Sequence, residues 1–154
     1  MFQTQAIAPP GQLLTEREIR NTLTQALEGQ FIHQRILVLI PDHTRSLPLP
    51  FLFRALAEIL RDAQQLDFMV ALGTHPPLSD DSLNQLVGIT SAERNTQYAT
   101  INLLNHAWDD PAQLKLVGTL RADEISQLTG GLFAMDVPVE INKLVFDYDQ
   151  VIIV

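Results

Sequence analysis

The sequence predicts an α/β fold of the Rossmann-like kind, a mostly parallel sheet with flanking helices and room for an antiparallel edge strand. Residues 36–40 and 68–72 are continuously apolar, which is typical of strands covered on both faces. Amphipathic segments separate these runs. Because strand and helix patterns alternate along the chain, we expect parallel strands joined by right-handed crossovers.

The first part of the chain divides into an arm and a helix. Residues 1–13 are predicted to be an irregular N-terminal arm, because the Pro-Pro-Gly stretch at residues 9–11 breaks regular structure. Thr15 followed three residues later by Glu18 matches a capping box. We therefore expect a helix from Thr15 to about Gly29.

The middle of the chain carries two strands and two helices. Strands are predicted at residues 35–40 and 66–72 because these segments are short and contain the apolar runs at residues 36–40 and 68–72. Residues 51–64 show helical apolar spacing. Ser79 is a favourable N-cap for a helix over residues 79–87, whose first turn is acidic.

Further strands are predicted at residues 99–104, 114–120 and 137–146, with another beginning at residue 150. Residues 114–120 alternate in polarity, which indicates an edge or antiparallel strand. Residues 121–131 are polar and end in Gly-Gly, so we expect a connection closed by a turn.

Composition limits the possible functions. A chain of 154 residues predicts one α/β domain over residues 14–154. The net charge of -8 argues against a nucleic-acid partner. The absence of Cys excludes disulfides and thiolate chemistry. The sequence shows no basic, apolar leader and no apolar run long enough to span a bilayer, so we expect a cytoplasmic protein without a membrane partner.

The candidate site lies in two polar loops that follow the two buried strands. Asp42, His43, Thr44 and Arg45 follow the first strand, and His75 follows the second. In open α/β sheets, ligands bind beyond the carboxyl ends of the strands. Arg45 has the planar donor fork that suits a carboxylate or a phosphate, and a histidine that titrates near neutral pH suits proton transfer.

Each of these residues also has a purely structural alternative. Asp42 could orient His75 or His43, or form an Asx turn. Thr44 could donate to an anion or cap the loop, and Arg45 could form a surface ion pair. Asp42, His43 and His75 could together bind a metal, although their spacing does not specify such a site. Asn105 and His106 open a third loop, which could be a solvated turn.

Taken together, these motifs resemble the N-terminal region of the nickel-pincer lactate racemase family. The resemblance covers roughly residues 31–154 and depends on the order and spacing of several short motifs. These are Asp42-His-Thr-Arg45-x-x-Pro48, Gly73-Thr-His75-x-Pro77, Asn105-His106-x-x-x-Asp110, Leu116-x-Gly118-Thr119, the stretch at residues 138–143, and Asp149.

The resemblance implies a racemase or epimerase that acts on a lactate-like α-hydroxy acid. A histidine takes the hydroxyl proton, and the Cα hydride moves to a nickel-pincer nucleotide. On this sequence, His75 would be one of two catalytic histidines, and Asp42 would support the site through His75 or Arg45. Arg45 would hold the substrate carboxylate, with Thr44 as a second substrate-binding residue.

The sequence departs from the family in one large respect and one small one. The family's second catalytic histidine, its cofactor-bearing lysine and its nickel ligand lie downstream of this pattern. We therefore expect residue 154 to be a truncation, the C-terminal remainder of the enzyme to be a partner, and the fragment alone to be inactive. Ser46 stands where the family often has proline. The alternatives are a small-anion-binding module without catalysis, and an α/β domain used for assembly.

Overall fold

The computed structural model describes residues 4–154 and contains six strands and five α-helices. The strands are β1 (Arg35–Ile40), β2 (Gln65–Val70), β3 (Leu103–Asn105), β4 (Leu114–Leu120), β5 (Val137–Asn142) and β6 (Gln150–Ile153). The helices are α1 (Glu16–Leu27), α2 (Leu49–Ile59), α3 (Asp80–Leu86), α4 (Ser91–Asn95) and α5 (Ala122–Leu128), with short 3₁₀ helices at Pro111–Gln113 and Lys143–Asp147.

Four strands form the main sheet in the order β3-β2-β1-β6, and every neighbouring pair is parallel. The predicted α/β fold with a mostly parallel sheet is thereby confirmed. Because all four strands point the same way, their carboxyl ends lie along one edge. The loops after β1, β2 and β3 open at that edge.

One face of the sheet carries the main hydrophobic core. Alternate residues of β1 and β2 point to this face, where α2 and α3 cover them. Phe53 of α2 packs with its ring centroid 4.8 Å from that of Phe68 on β2 and 5.0 Å from that of Tyr98. These three rings fix α2 against the sheet.

The opposite face of the sheet carries a buried carboxylate that the segment preceding β6 contacts. Leu37, Asp67 and Met69 are buried there. The Asp67 carboxylate accepts hydrogen bonds from the Tyr148 hydroxyl at 2.6 Å and from the backbone N–H of Asn102 at 2.7 Å. Burial, followed by the hydrogen bond to Asp67, raises the pKa of Tyr148. The hydroxyl therefore keeps its proton and remains a donor.

The antiparallel strand predicted at residues 114–120 is present, but it lies in a second sheet. β4 pairs with β5 alone, from Leu114 opposite Asn142 to Leu120 opposite Val137. The register shifts between Leu116 and Gly118. Since β5 satisfies the main-chain groups of β4, this strand does not extend the main sheet, whose edge strands β3 and β6 are parallel.

Several predicted boundaries were wrong. Residues 121–131 are not simply a connection, because α5 forms there with the Glu124 carboxylate accepting the Arg121 N–H. The strand expected to reach residue 146 ends at Asn142, whose side chain accepts the Leu144 N–H and begins a 3₁₀ helix. The third strand is shorter than residues 99–104, since α4 and the turns after it occupy the preceding segment.

The observed bounds of one helix also differ slightly from those predicted. Helix α2 begins two residues earlier and ends at Ile59, because the proline at position 50 fits the first turn of a helix. The arm has no helix or strand over residues 4–13, and residues 1–3 of that prediction lie outside the described part. No helix within residues 4–154 is long and apolar enough to cross a membrane.

Candidate active site

The site begins with a hydrogen bond between the first two loops. His75, in the loop after β2, lies with Nδ1 2.8 Å from Oδ2 of Asp42, in the loop after β1. The Asp42 side chain is 10% exposed, whereas that of His75 is 55% exposed. The carboxylate is therefore set into the edge of the sheet, and the imidazole stands above it within reach of solvent.

The other carboxylate oxygen of Asp42 is held within its own loop. Oδ1 accepts the backbone N–H of Thr44 at 3.0 Å and the Thr44 hydroxyl proton, which makes an Asx turn. The two Thr44 donors, together with His75, lower the pKa of Asp42 to about 2. At neutral pH the carboxylate is ionised and can only accept, so His75 must donate through Nδ1–H.

The two roles considered for Asp42 from the sequence are therefore both present, since Asp42 forms the Asx turn and also orients His75. His75, rather than His43, is its partner. The single hydroxyl proton of Thr44 is engaged by Asp42, so Thr44 supports the carboxylate here. Its contact with a substrate stays a prediction.

Arg45 and Asp42 line the same open cavity of about 530 Å³, whereas His75 is not among the residues that line it. Pro41, Asp42, His43 and Arg45 line one side of the cavity, and leucine side chains with Ser82 and Gln85 line the rest. None of the ion pairs formed within residues 4–154 involves Arg45. The guanidinium is therefore free to receive an anion, and the surface ion pair considered from the sequence is not formed.

The third loop is attached to the second by a side chain that sequence reasoning left without a role. Asn105, at the end of β3, accepts the Leu78 N–H at 3.0 Å and donates to the Leu78 carbonyl at 2.9 Å. His106 follows, and its backbone N–H donates to the Val70 carbonyl at 3.1 Å. The sequence signals for these residues were their position after a strand and their place in the motif Asn105-His106-x-x-x-Asp110.

His106 also contacts a residue that is distant in sequence. Its Nδ1 lies 3.0 Å from the side-chain nitrogen of Asn142, the last residue of β5. Asn142 is one of the few buried polar residues. No spacing in the sequence pointed to this pair, because the two residues meet only through the packing of the second sheet against the third loop.

A family model described as the lactate racemase N-terminal domain matches residues 12–154 of the chain. The chain belongs to this family. The match includes all three loops, so the resemblance stated from the motifs is confirmed. No curated protein matches the sequence.

The lactate racemase N-terminal domain described here is also similar to a solved structure. That structure is a crystal structure of a Thermotoga maritima protein from a structural-genomics programme, 28% identical in sequence, with a TM-score of 0.78. The match covers 91% of this chain and 33% of the other chain. This chain therefore spans about a third of the length of the relative.

The described residues of this lactate racemase N-terminal domain do not fit the nickel-pincer nucleotide that the family resemblance implies. Within residues 4–154 no three His, Asp or Glu side chains come together to hold a metal, so Asp42, His43 and His75 do not form the cluster left open by the sequence. The side chains of both lysines already make contacts within the described residues. Lys115 lies 4.0 Å from the Phe146 ring centroid, and Lys143 donates to the Ala112 carbonyl.

Proposed function

We propose that this domain forms the substrate-side half of a racemase or epimerase that acts on a lactate-like α-hydroxy acid. The observation that carries the proposal is that Asp42, which holds His75 by a hydrogen bond, lines the same cavity as the unpaired Arg45. A base and a cation that are both tied to one carboxylate-bearing loop suit a substrate that has an ionisable hydroxyl next to a carboxylate.

His75 supplies the proton transfer in this proposal. Because Asp42 accepts its Nδ1–H, the neutral imidazole has its lone pair on Nε2. That atom can accept the hydroxyl proton of the substrate, and the ionised Asp42 stabilises the resulting imidazolium, as a buried carboxylate does in other Asp–His pairs. The same imidazolium can return the proton to the product oxygen.

Arg45 supplies binding and orientation. A guanidinium can hold a carboxylate through two parallel hydrogen bonds, which fixes the plane of the substrate as well as its position. The leucine-rich wall of the cavity would accept the remainder of a small acid. We therefore assign the carboxylate to Arg45 and the hydroxyl to His75.

The cofactor and the second half of the site belong to the same proposal. The resemblance implies a nickel-pincer nucleotide, and the residues that would hold it are expected outside residues 4–154. The one-third coverage of the similar Thermotoga maritima chain supports a larger enzyme in which this domain has a C-terminal partner. The domain alone is expected to bind substrate without racemising it.

Lactate titration tests the proposal. We expect D- or L-lactate to shift the NMR signals of the His75 imidazole in a saturable way. Arg45→Ala should abolish the shift, and Arg45→Lys should weaken binding about tenfold, because a point charge does not replace the fork. Arg17→Ala is the matched control, since it removes the same charge from an exposed position on α1. Unchanged affinity in Arg45→Ala would refute the proposal.

In the intact enzyme, proton transfer and nickel binding are assigned to different residues. His75→Ala should abolish racemisation while nickel content stays largely unchanged, since His75 is assigned to proton transfer. Loss of nickel in this variant would contradict that assignment.

A binding module without catalysis is the second candidate. It is favoured by the cavity itself, which Arg45 lines and His75 does not. Equal affinity for lactate and inorganic phosphate, with no dependence on the His75 imidazole, would support this module instead of the racemase.

A further inference from the structure

The tautomer of His106 is set by Asn142. The Asn142 carbonyl oxygen accepts the Leu144 N–H at 2.9 Å. This contact fixes the orientation of the amide, because a backbone N–H can only face the oxygen. The amide nitrogen is therefore the atom that lies 3.0 Å from Nδ1 of His106.

An amide NH₂ group only donates, so Nδ1 of His106 must accept. A neutral imidazole with an unprotonated Nδ1 carries its proton on Nε2. In the part of the chain that the structure describes, Nε2 of His106 has no hydrogen-bond partner, and it is not among the buried atoms that lack one. The Nε2–H group is therefore accessible to a ligand.

His75 has the opposite arrangement. Its Nδ1 faces the Asp42 carboxylate, which can only accept, so its proton is on Nδ1 and its lone pair is on Nε2. The two imidazoles follow adjacent parallel strands, β2 and β3. At the same edge of the sheet, Nε2 of His75 is therefore an acceptor and the Nε2–H of His106 is a donor.

The third loop is also fixed in place relative to the second. Asn105 holds the backbone of Leu78, three residues after His75, through two hydrogen bonds. The His106 backbone N–H donates a hydrogen bond to the carbonyl of Val70, the last residue of β2. Both histidines are thus attached to β2 and its loop, and neither lies on an independent segment.

We propose that His106 is a further substrate-binding residue, whose Nε2–H donates to an anionic oxygen of the α-hydroxy acid, and that Asn142 is the positioning residue that holds this tautomer. The identity of the ligand rests on the proposed function. The tautomer does not, because it follows from the Asn142 contacts alone.

The tautomer is tested by long-range ¹H–¹⁵N NMR of the histidine side chains. We expect an unprotonated Nδ1 and a protonated Nε2 for His106, with the reverse for His75. Asn142→Asp should reverse the His106 tautomer, because a carboxylate requires Nδ1–H as its donor. An Asp side chain still accepts the Leu144 N–H, so the fold is retained. A wild-type His106 protonated on Nδ1, or no reversal in Asn142→Asp, would overturn the inference.

Ligand binding is tested on the same samples with L- and D-lactate. We expect the His106 and His75 signals to shift together, and Asn142→Asp to weaken lactate binding by about tenfold or more, since it removes a donor to an anion. His33, exposed on a distant turn, serves as the internal reference. Shifts at His75 without His106 would overturn this inference alone, whereas no shift at either histidine would overturn the proposed function and leave the tautomer result standing.

Discussion

Asp42 connects local loop geometry to chemistry, because its two oxygens have separate tasks. Oδ1 is held by Thr44, two residues along the chain, and Oδ2 holds His75, from the next strand's loop. The turn fixes the direction in which Oδ2 points. The orientation of the imidazole therefore depends on a short-range contact that the sequence itself encodes.

Replacing Asp42 with Asn tests this dependence. An amide can either donate to or accept from Nδ1, so His75 would no longer be restricted to the tautomer with a free Nε2. Under the proposed function, we expect kcat for racemisation by the intact protein to fall by roughly 10²- to 10⁴-fold. Asp62→Asn, which neutralises an exposed carboxylate on another turn, is the control. Activity within about twofold of wild type would show that Asp42 does not set the His75 tautomer.

The lowered pKa of Asp42 also predicts how stability depends on pH. Its folded-state pKa lies near 2, below the ordinary value of 3.8. The carboxylate therefore stabilises the folded state fully above about pH 4, and this contribution is lost as the pH falls toward 2. The difference in unfolding free energy between wild type and Asp42→Asn should shrink over this range. Urea titrations at several pH values measure it, and a difference that grows with acidity would contradict the assignment.

At the scale of the elements, the site depends on contacts between loops. Asn105 satisfies both backbone groups of Leu78, so Asn105→Ala leaves them without these partners. We expect the variant to lose about 1–3 kcal/mol of unfolding free energy and to broaden the NMR signals of His75. Asn95→Ala, at the exposed end of α4, should change neither. Normal His75 signals in Asn105→Ala would show that the second loop keeps its conformation without the Asn105 contacts.

The sequence predicts those elements whose signal is local. β1 was predicted with its observed bounds because residues 36–40 are apolar, and the two loops followed from the position of polar residues after such strands. Helices α4 and α5 are short and polar, and side-chain caps from Glu93 and Glu124 support them. Such helices have little periodicity to detect.

The contacts that the sequence did not predict are those between distant segments. Asn142 meets His106 across 36 positions, and only the pairing of β4 with β5 brings it there. Hydrophobic periodicity says which face of a strand is buried, but not which other strand it will pair with. The Asp42–His75 contact was the exception, since both residues follow neighbouring parallel strands.

For the molecule as a whole, the last strand pairs with the first. β6 lies beside β1, and the two residues before β6 form polar contacts with the sheet through their side chains. Asp149 accepts the Arg35 backbone N–H at 2.8 Å and pairs with the Arg35 guanidinium at 3.1 Å. The Tyr148 hydroxyl donates to the buried Asp67. The first and last strands of the chain should therefore unfold together.

Tyr148→Phe tests this coupling. The substitution removes one hydrogen bond to a buried carboxylate and keeps the ring, so we expect the unfolding free energy to fall by about 1.5–3 kcal/mol. Circular dichroism follows the helices and the main sheet, whereas the fluorescence of Trp108 follows the third loop. Both transitions should move by the same amount, because the four strands of the main sheet and the loops at their carboxyl ends belong to one cooperative unit. A shift in only one signal would mean that the segment before β6 unfolds independently of the site.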